Sequence, residues 1–471
     1  MASQIAPSNQ TNSVTNSKSY TFPFIVITVL FFMWGFMTVL NDILIPYLKK
    51  LFVLSYLEAT LVQFVFFGAY FIGSLIYFLA SLSVGDLIGR IGYKNGIIGG
   101  LLLSAMGCSL FFPAAAYQVY GLFLAALFCL GLGFTLLQIA ANPYVAILGT
   151  PTGASSRLNF AQGFNSVGTT IAPIIGAQLI FGGIDNEQLG TNVLQMMYIV
   201  FALIFVLMAS VIKIIKLPEF KTEESVETKA GALHYPNLVM GIIAIFMYVG
   251  GEVSIGSLLI NFLKLPEIAG FTDRKASHYL AFYWGGVMIG RFLGAISLSE
   301  TLPAARRYLL MAAVAFLSLI IIGITADWQT AAIYSVILLV NLLAFYLGRS
   351  LPARTLGIFS IAIAALILVA VFTQGPLAMW SLIAVGLFNS IMWSNIFTLA
   401  IKGLGRYVSQ GSSLLIMAIL GAAVVPVIQG AVADSVGLQA SFLVTFCCYL
   451  YLIYYGFSGY KERQKQVRTI S

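Results

Sequence analysis

Fourteen stretches of about twenty or more mostly apolar residues succeed one another along the chain, and that succession constrains the fold more than any motif does. They lie near 22–48, 57–83, 95–116, 119–148, 158–182, 193–216, 237–263, 277–299, 306–325, 329–348, 355–373, 376–401, 408–432 and 438–459. Each is long enough to cross a bilayer as a helix, which takes roughly 20 residues at 1.5 Å rise. With 60% hydrophobic and 8% charged residues in 471, too little polar sequence remains to coat a water-facing globule. The pattern predicts an all-α membrane protein with 14 transmembrane helices and lipid bilayer as its surround.

The first six runs make an N-terminal half, 21–216. A charged linker, 217–235, separates it from a C-terminal half, 236–460, and the ends 1–20 and 461–471 read as polar tails. The net charge of +8 comes from bases scattered between the runs, which points to topology rather than nucleic acid. Counting crossings from an inside N-terminus leaves only Lys49, Lys50, Lys264, Arg274 and Lys275 in outside connections. The positive-inside rule then places both termini in the cytoplasm.

Residues 1–20 lack the basic start and short apolar core of a secretory signal. The four cysteines, Cys108, Cys129, Cys447 and Cys448, fall inside apolar runs and read as packing residues. His234 and His278 stand alone at helix starts, and neither zinc spacing nor a phosphate loop is present, so the sequence predicts no metal, no cofactor and no enzyme activity.

A weak internal repeat relates the halves. Gly89-Arg90 corresponds to Gly290-Arg291, and Gln162-Gly163 to Gln410-Gly411, but the second pair is further apart by the length of one helical hairpin. This suggests two six-helix halves with an inserted hairpin at about 301–350, the kind of repeat-built bundle that binds substrate near the bilayer midplane.

Asp42 and Glu252 are the two carboxylates well inside apolar runs. Each costs about 3 kcal/mol at the bilayer centre on insertion scales, so each is expected to face a polar cavity. Thr38 lies one turn before Asp42, and Pro46 loosens the helix after it. Gln138 and Asn142 share one helix face, as do Gln162, Asn165 and Thr169. Amides offer both donors and acceptors, as a sugar hydroxyl requires, and equally serve as interhelical glue. Glu252 sits beside Gly250 and Gly251; Asn389 shares a face with Trp393, and Trp34, Phe282 and Trp284 add aromatic rings. In SVGDLIGRIGYKNG (83–96), Asp86 and Arg90 could form a breakable charge pair that latches two helices, or a turn with topology-setting charges.

On LNDILIP (40–46), FFGAYFIGS (66–74), RIGYKNGI (90–97), LQIAANPYVAILG (137–149), RLNFAQGFNSVG (157–168), YVGGEVSIGS (248–257), IGRFLG (289–294), VGLFNSIM (385–392), FTLAIKGLG (397–405), QGSSLLIMAILG (410–421) and VVP (424–426), the chain resembles the fucose:proton symporter family of the major facilitator superfamily, in particular its glucose/galactose branch. The resemblance implies alternating access in a bacterial inner membrane and cation-coupled uptake of a hexose such as glucose, galactose or mannose, by a monomer. It makes Asp42 the coupling carboxylate. The second acid of the fucose member is Gln138 here, and Glu252 stands where that member has an amide. Two readings of the ion stay open. Asp42 titrates with H⁺, or it joins oxygens of Asn41, Gln138 or Asn142 around Na⁺. Gln138, Asn142, Gln162, Asn165, Glu252, Asn389 and Trp393 are the expected substrate contacts, and Asp86 with Arg90 the cytoplasmic gate. Trp393-Ser394-Asn395 and the hairpin depart from the family pattern. The alternatives are export of an amphipathic drug by cation antiport, and a non-transporting sugar sensor.

Overall fold

A computed structural model describes residues 21–53, 56–181, 187–218 and 230–461; inside these helices a few side chains, Asn41 and Asp42 among them, lie outside the description. In hydrocarbon every backbone N–H and C=O must find a partner within its own segment, so the apolar runs become helices. In the first part these are α1 (Thr21–Leu51), α2 (Tyr56–Val84), the short α3 (Leu87–Ile91), α4 (Tyr93–Ala116), α5 (Tyr120–Ile147), α6 (Ala154–Phe181) and α7 (Glu187–Ile214). In the second part they are α8 (Pro236–Lys264), α9 (Asp273–Ser297), α10 (Ala304–Thr325), α11 (Trp328–Gly348), α12 (Pro352–Phe372), α13 (Gly375–Asn389), α14 (Met392–Ile401), α15 (Val408–Met417), α16 (Gly421–Val436), α17 (Leu438–Ser441) and α18 (Leu443–Tyr454).

Among the described residues, thirteen helical segments are long and apolar enough to cross a membrane, against fourteen expected. The expected run at 158–182 is the 28-residue α6, which is long enough. It falls outside the thirteen because most side chains of its apolar C-terminal part, 173–181, lie outside the described residues.

Two runs expected to be continuous are interrupted. α13 stops at Asn389 and α14 starts at Met392, where the Ser390 hydroxyl donates back to the Leu387 carbonyl at 2.7 Å. A 3₁₀ turn at Ala418–Leu420 separates α15 from α16. Breaks of this kind are tolerated in a membrane protein where the backbone lines a cavity or is buried in protein.

In the first part, α4 packs on α5 and α7, α1 on α6, and α2 on α5. The α1–α6 contact is close enough that a Cβ on Gly35 would lie 2.2 Å from the Asn165 carbonyl oxygen, and one on Gly168 2.3 Å from that of Phe32. In the second part, α8 packs on α16 and α14, α9 on α13, and α12 on α13 and α18. The antiparallel pair α10–α11 leans on α9 and α12, and exposes Leu309, Phe316, Ile324 and Leu339 outward, as hydrocarbon-facing residues do. Cys108, Cys129 and Cys448 are buried and unbridged, in keeping with packing. Cys447 differs: its position on α18 turns it outward.

Candidate functional site

Between the two parts lies a cavity of about 170 Å³. The first part contributes Trp34, Gly35 and Thr38 from α1, Phe67 and Tyr70 from α2, Gln138 from α5, and Gln162, Asn165 and Thr169 from α6. The second part adds Tyr248, Val249 and Glu252 from α8, Arg291 from α9, Trp393 from α14, and Ile419 from the 3₁₀ turn. Of the expected substrate residues, Gln138, Gln162, Asn165, Glu252 and Trp393 therefore meet at one place.

Asn142 and Asn389 do not line it. Asn142 is fully buried with neither amide atom hydrogen-bonded. Asn389 lies behind the wall: its Nδ2 donates to the Tyr283 hydroxyl at 2.9 Å, its Oδ1 accepts from the Tyr449 hydroxyl at 2.7 Å, and Tyr283 donates onward to the Glu252 carbonyl at 3.1 Å. That relay fixes the backbone of α8 where its carboxylate enters the cavity. Trp284 is 40% exposed and Phe282 packs against Tyr279 and Trp380, so neither ring faces the site. Asn41 and Asp42 belong to α1, three and four residues beyond Thr38, and their side chains lie outside the described residues.

Within the cavity, Tyr248 donates to Glu252 Oε1 at 2.7 Å. The Trp34 indole donates to Tyr70 at 3.2 Å, and Asn165 Nδ2 donates to the Phe31 carbonyl at 3.0 Å. Arg291, which sequence reasoning used only as a repeat landmark, is the cation of the site. Its Nη1 crosses between the parts to the Gln162 carbonyl at 3.2 Å and the Ser166 hydroxyl at 2.5 Å, and its charge acts on Glu252. The signal that would have found it is its depth: IGRFLG lies within an apolar run, where a cation is as costly as an acid.

Three polar atoms on the cavity residues have no hydrogen-bond partner in the protein: Gln138 Oε1, Trp393 Nε1 and Arg291 Nε. Buried polar atoms are rarely left so, because each costs about 1–3 kcal/mol. All three atoms are shut off from the cavity in this state, so they mark strain behind its walls; the polar groups that line it are those of Thr38, Tyr70, Gln138, Gln162, Asn165, Thr169, Glu252 and Arg291.

One end of the bundle is sealed by contacts between the two parts. Gln410 Nε2 donates to Ser81 at 2.9 Å, Ser155 and Thr398 share a hydroxyl contact at 2.6 Å, Ser156 donates to the Ala295 carbonyl at 2.6 Å, and Asn159 Nδ2 donates to Asn395 Oδ1 at 3.2 Å. Phe160 and Phe164 pack on Phe292, with ring centroids 6.2 and 5.7 Å apart, between the seal and the cavity. Glu300 accepts from Thr150 at 2.5 Å and faces Arg157, whose guanidinium also holds the carbonyls of Val145, Ala146 and Thr150. Glu300 thus reaches Thr150 across the seal, near enough for its charge to act on Arg157, a meeting that the sequence pattern did not single out.

Asp86 stands at this end with its hydrogen bonds made to groups other than Arg90, which is exposed. It caps α3, accepting from the Gly89 N–H at 3.0 Å and from Tyr77 at 2.9 Å. A side chain at Gly89 would strike the carboxylate, at 2.7 Å from its Oδ2. Burial raises the Asp86 carboxyl above its ordinary 3.8, and hydrogen bonds from Gly89, Tyr77 and Ser409, the last on α15, oppose the rise. Where parting of α2 and α15 admits water to Asp86, its carboxyl returns toward the ordinary value, and acid then favours the seal. The stabilisation is full below the ordinary value and is lost as pH rises through the raised one. Spin labels at Asn95→Cys and Lys402→Cys should therefore report a falling sealed fraction over that window, and Asp86→Asn should flatten the response. An unchanged pH response in Asp86→Asn would refute the role.

Residues 24–353 match the Major Facilitator Superfamily. A glucose/galactose transporter of Brucella abortus is 43% identical over 468 residues, covering 98% of this chain and 100% of that one. The L-fucose-proton symporter of Escherichia coli is 30% identical over 446 residues, covering 89% of each. A solved structure of a Major Facilitator Superfamily transporter, FucP, in the outward conformation superposes with a TM-score of 0.72 at 29% identity, covering 93% of this chain and 99% of that one. A bundle in two packed parts, a polar cavity between them and a seal at one end thus go with a match over most of the sequence: the chain belongs to the Major Facilitator Superfamily and is a transporter, not an enzyme.

Proposed function

We propose that the protein takes up a hexose such as glucose or galactose together with a monovalent cation, by alternating access across a bacterial inner membrane with both termini in the cytoplasm. The observation that carries this reading is a cavity between the two parts lined by amides and charges, Gln138, Gln162, Asn165, Glu252 and Arg291, together with the rings of Trp34, Tyr70 and Trp393. A pyranose offers hydroxyls that donate and accept, and its C–H faces suit the rings of Trp34, Tyr70 and Trp393. At about 170 Å³ the cavity suits a monosaccharide better than a drug, whose pockets run to about 300–1,000 Å³. The names of the glucose/galactose and fucose relatives point the same way.

The sealed end carries the Arg157, Arg306, Arg349 and Arg406 connections, so the positive-inside rule makes it the cytoplasmic one and the state outward-facing. Asp42 is the coupling carboxylate, with Asn41 and Gln138 nearest it in role, and H⁺ or Na⁺ is the ion. Coupling requires that its occupancy bias which face is open.

The test is uptake of radiolabelled glucose and galactose into proteoliposomes under separately imposed pH and Na⁺ gradients. Accumulation driven by one of the two gradients, and counterflow without either, is the expected result. Absence of counterflow for every hexose, with efflux of amphipathic cations instead, would overturn it.

A further inference from the structure

The α10–α11 hairpin takes no part in the cavity or the seal, yet it organises a basic corner. Arg306 and Arg307 lie in the first turn of α10, Arg349 directly follows α11, and Arg354 lies in the first turn of α12. Arg307 is spent on structure: it donates to the carbonyls of Ser297 at 3.1 Å and Leu302 at 3.2 Å, and to the Ser350 hydroxyl. This ties α9, the start of α10 and the end of α11 together. It also holds the turn in which Arg349 and Ser350 both adopt left-handed backbone, with φ of 51° and 56°.

Arg306, Arg349 and Arg354 remain. Among the described residues, no carboxylate pairs with any of them. The two acids in this stretch of sequence are committed elsewhere. Glu300 is turned across the seal to Thr150, and Asp327 caps the far end of the hairpin through Thr330. Three uncompensated guanidinium groups on one corner make an anion site, and guanidinium matches phosphate in a planar, bidentate way.

What distinguishes a lipid from a soluble anion is the surface alongside. Tyr308 and Tyr346 pair one turn away, with ring centroids 5.9 Å apart and exposures of 43% and 60%. Paired tyrosines at this depth mark the membrane interface. Beyond them Leu309, Leu343 and Leu347 continue the outward apolar wall. Charge, phenol and aliphatic wall follow in the order of a phospholipid's own headgroup, glycerol region and acyl chains. A free phosphate would use the first and leave the rest idle.

We propose that the hairpin forms a headgroup site for an anionic phospholipid, with Arg306, Arg349 and Arg354 on the phosphate and the Tyr308–Tyr346 face on the chains. The test uses the full-length protein in neutral detergent. Phosphatidylglycerol, phosphatidylcholine and inorganic phosphate are each titrated, with thermal stability and lipid retention in native mass spectrometry as readouts. Phosphatidylglycerol alone should bind and stabilise, and each arginine changed to glutamine should weaken it about fivefold, the scale of one basic residue at an anionic membrane surface. Arg349→Gln, outside both helices, keeps the test valid if the variants within α10 and α12 do not fold. Equal gains from phosphatidylcholine or inorganic phosphate would overturn the proposal, as would undiminished retention in Arg349→Gln and Arg354→Gln.

Discussion

Replacing Arg291 by methionine should abolish uptake while the protein still folds and inserts. The guanidinium joins α9 to α6 through Gln162 and Ser166, and it is the cation acting on Glu252. Removing it leaves a carboxylate 8% exposed with Tyr248 as its hydrogen-bond donor. The cation acts on Glu252 through space rather than by a direct ion pair, and removing it leaves the buried carboxylate uncompensated. Sugar affinity should fall by about tenfold or more, tenfold being roughly 1.4 kcal/mol. The informative variant is the double one, Glu252→Gln with Arg291→Met, which removes both charges. It should recover part of the sugar binding lost in Arg291→Met, as read by isothermal titration. If the double variant binds no better than Arg291→Met alone, the two side chains do not act as a pair.

Asp42→Asn should erase accumulation and spare exchange. One cation entering down about 100 mV supplies roughly 2.3 kcal/mol, and each tenfold of sugar gradient takes about 1.4 kcal/mol. The native protein should therefore concentrate sugar by up to about fortyfold in energised proteoliposomes. The neutral amide neither carries a proton nor offers a charge to Na⁺, so the internal and external concentrations should level. Counterflow, which needs only binding and a change of access, should continue. Gradient-driven accumulation surviving in Asp42→Asn would remove the coupling role.

The helices were legible in the sequence because lipid leaves an apolar run one way to satisfy its backbone, and their ends fall within a few residues of the composition breaks. Glu252, Gln138, Gln162, Asn165 and Trp393 could be placed on one cavity because each is out of character in hydrocarbon. Asn389 shared that character yet lies behind the wall, and what decides its place is Tyr283 and Tyr449, whose rings come from helices 106 and 60 residues away in the chain, respectively. Arg291 and the Glu300–Thr150 contact escaped notice for a related reason: pairing across the two parts is a property of their packing, and no local spacing encodes it. The breaks at Asn389 and Ala418 are likewise set by what the backbone meets in space.

The seal is made mostly of neutral contacts, Ser81 with Gln410, Ser155 with Thr398, Ser156 with Ala295 and Asn159 with Asn395. Each contributes about 1 kcal/mol net, since water waits to replace it. Their sum is a few kcal/mol, the same size as the binding energy of one weakly held metabolite. A latch of that strength stays shut at rest and yields once its cargo has settled, so the machine needs no fuel beyond the ion it carries to change sides.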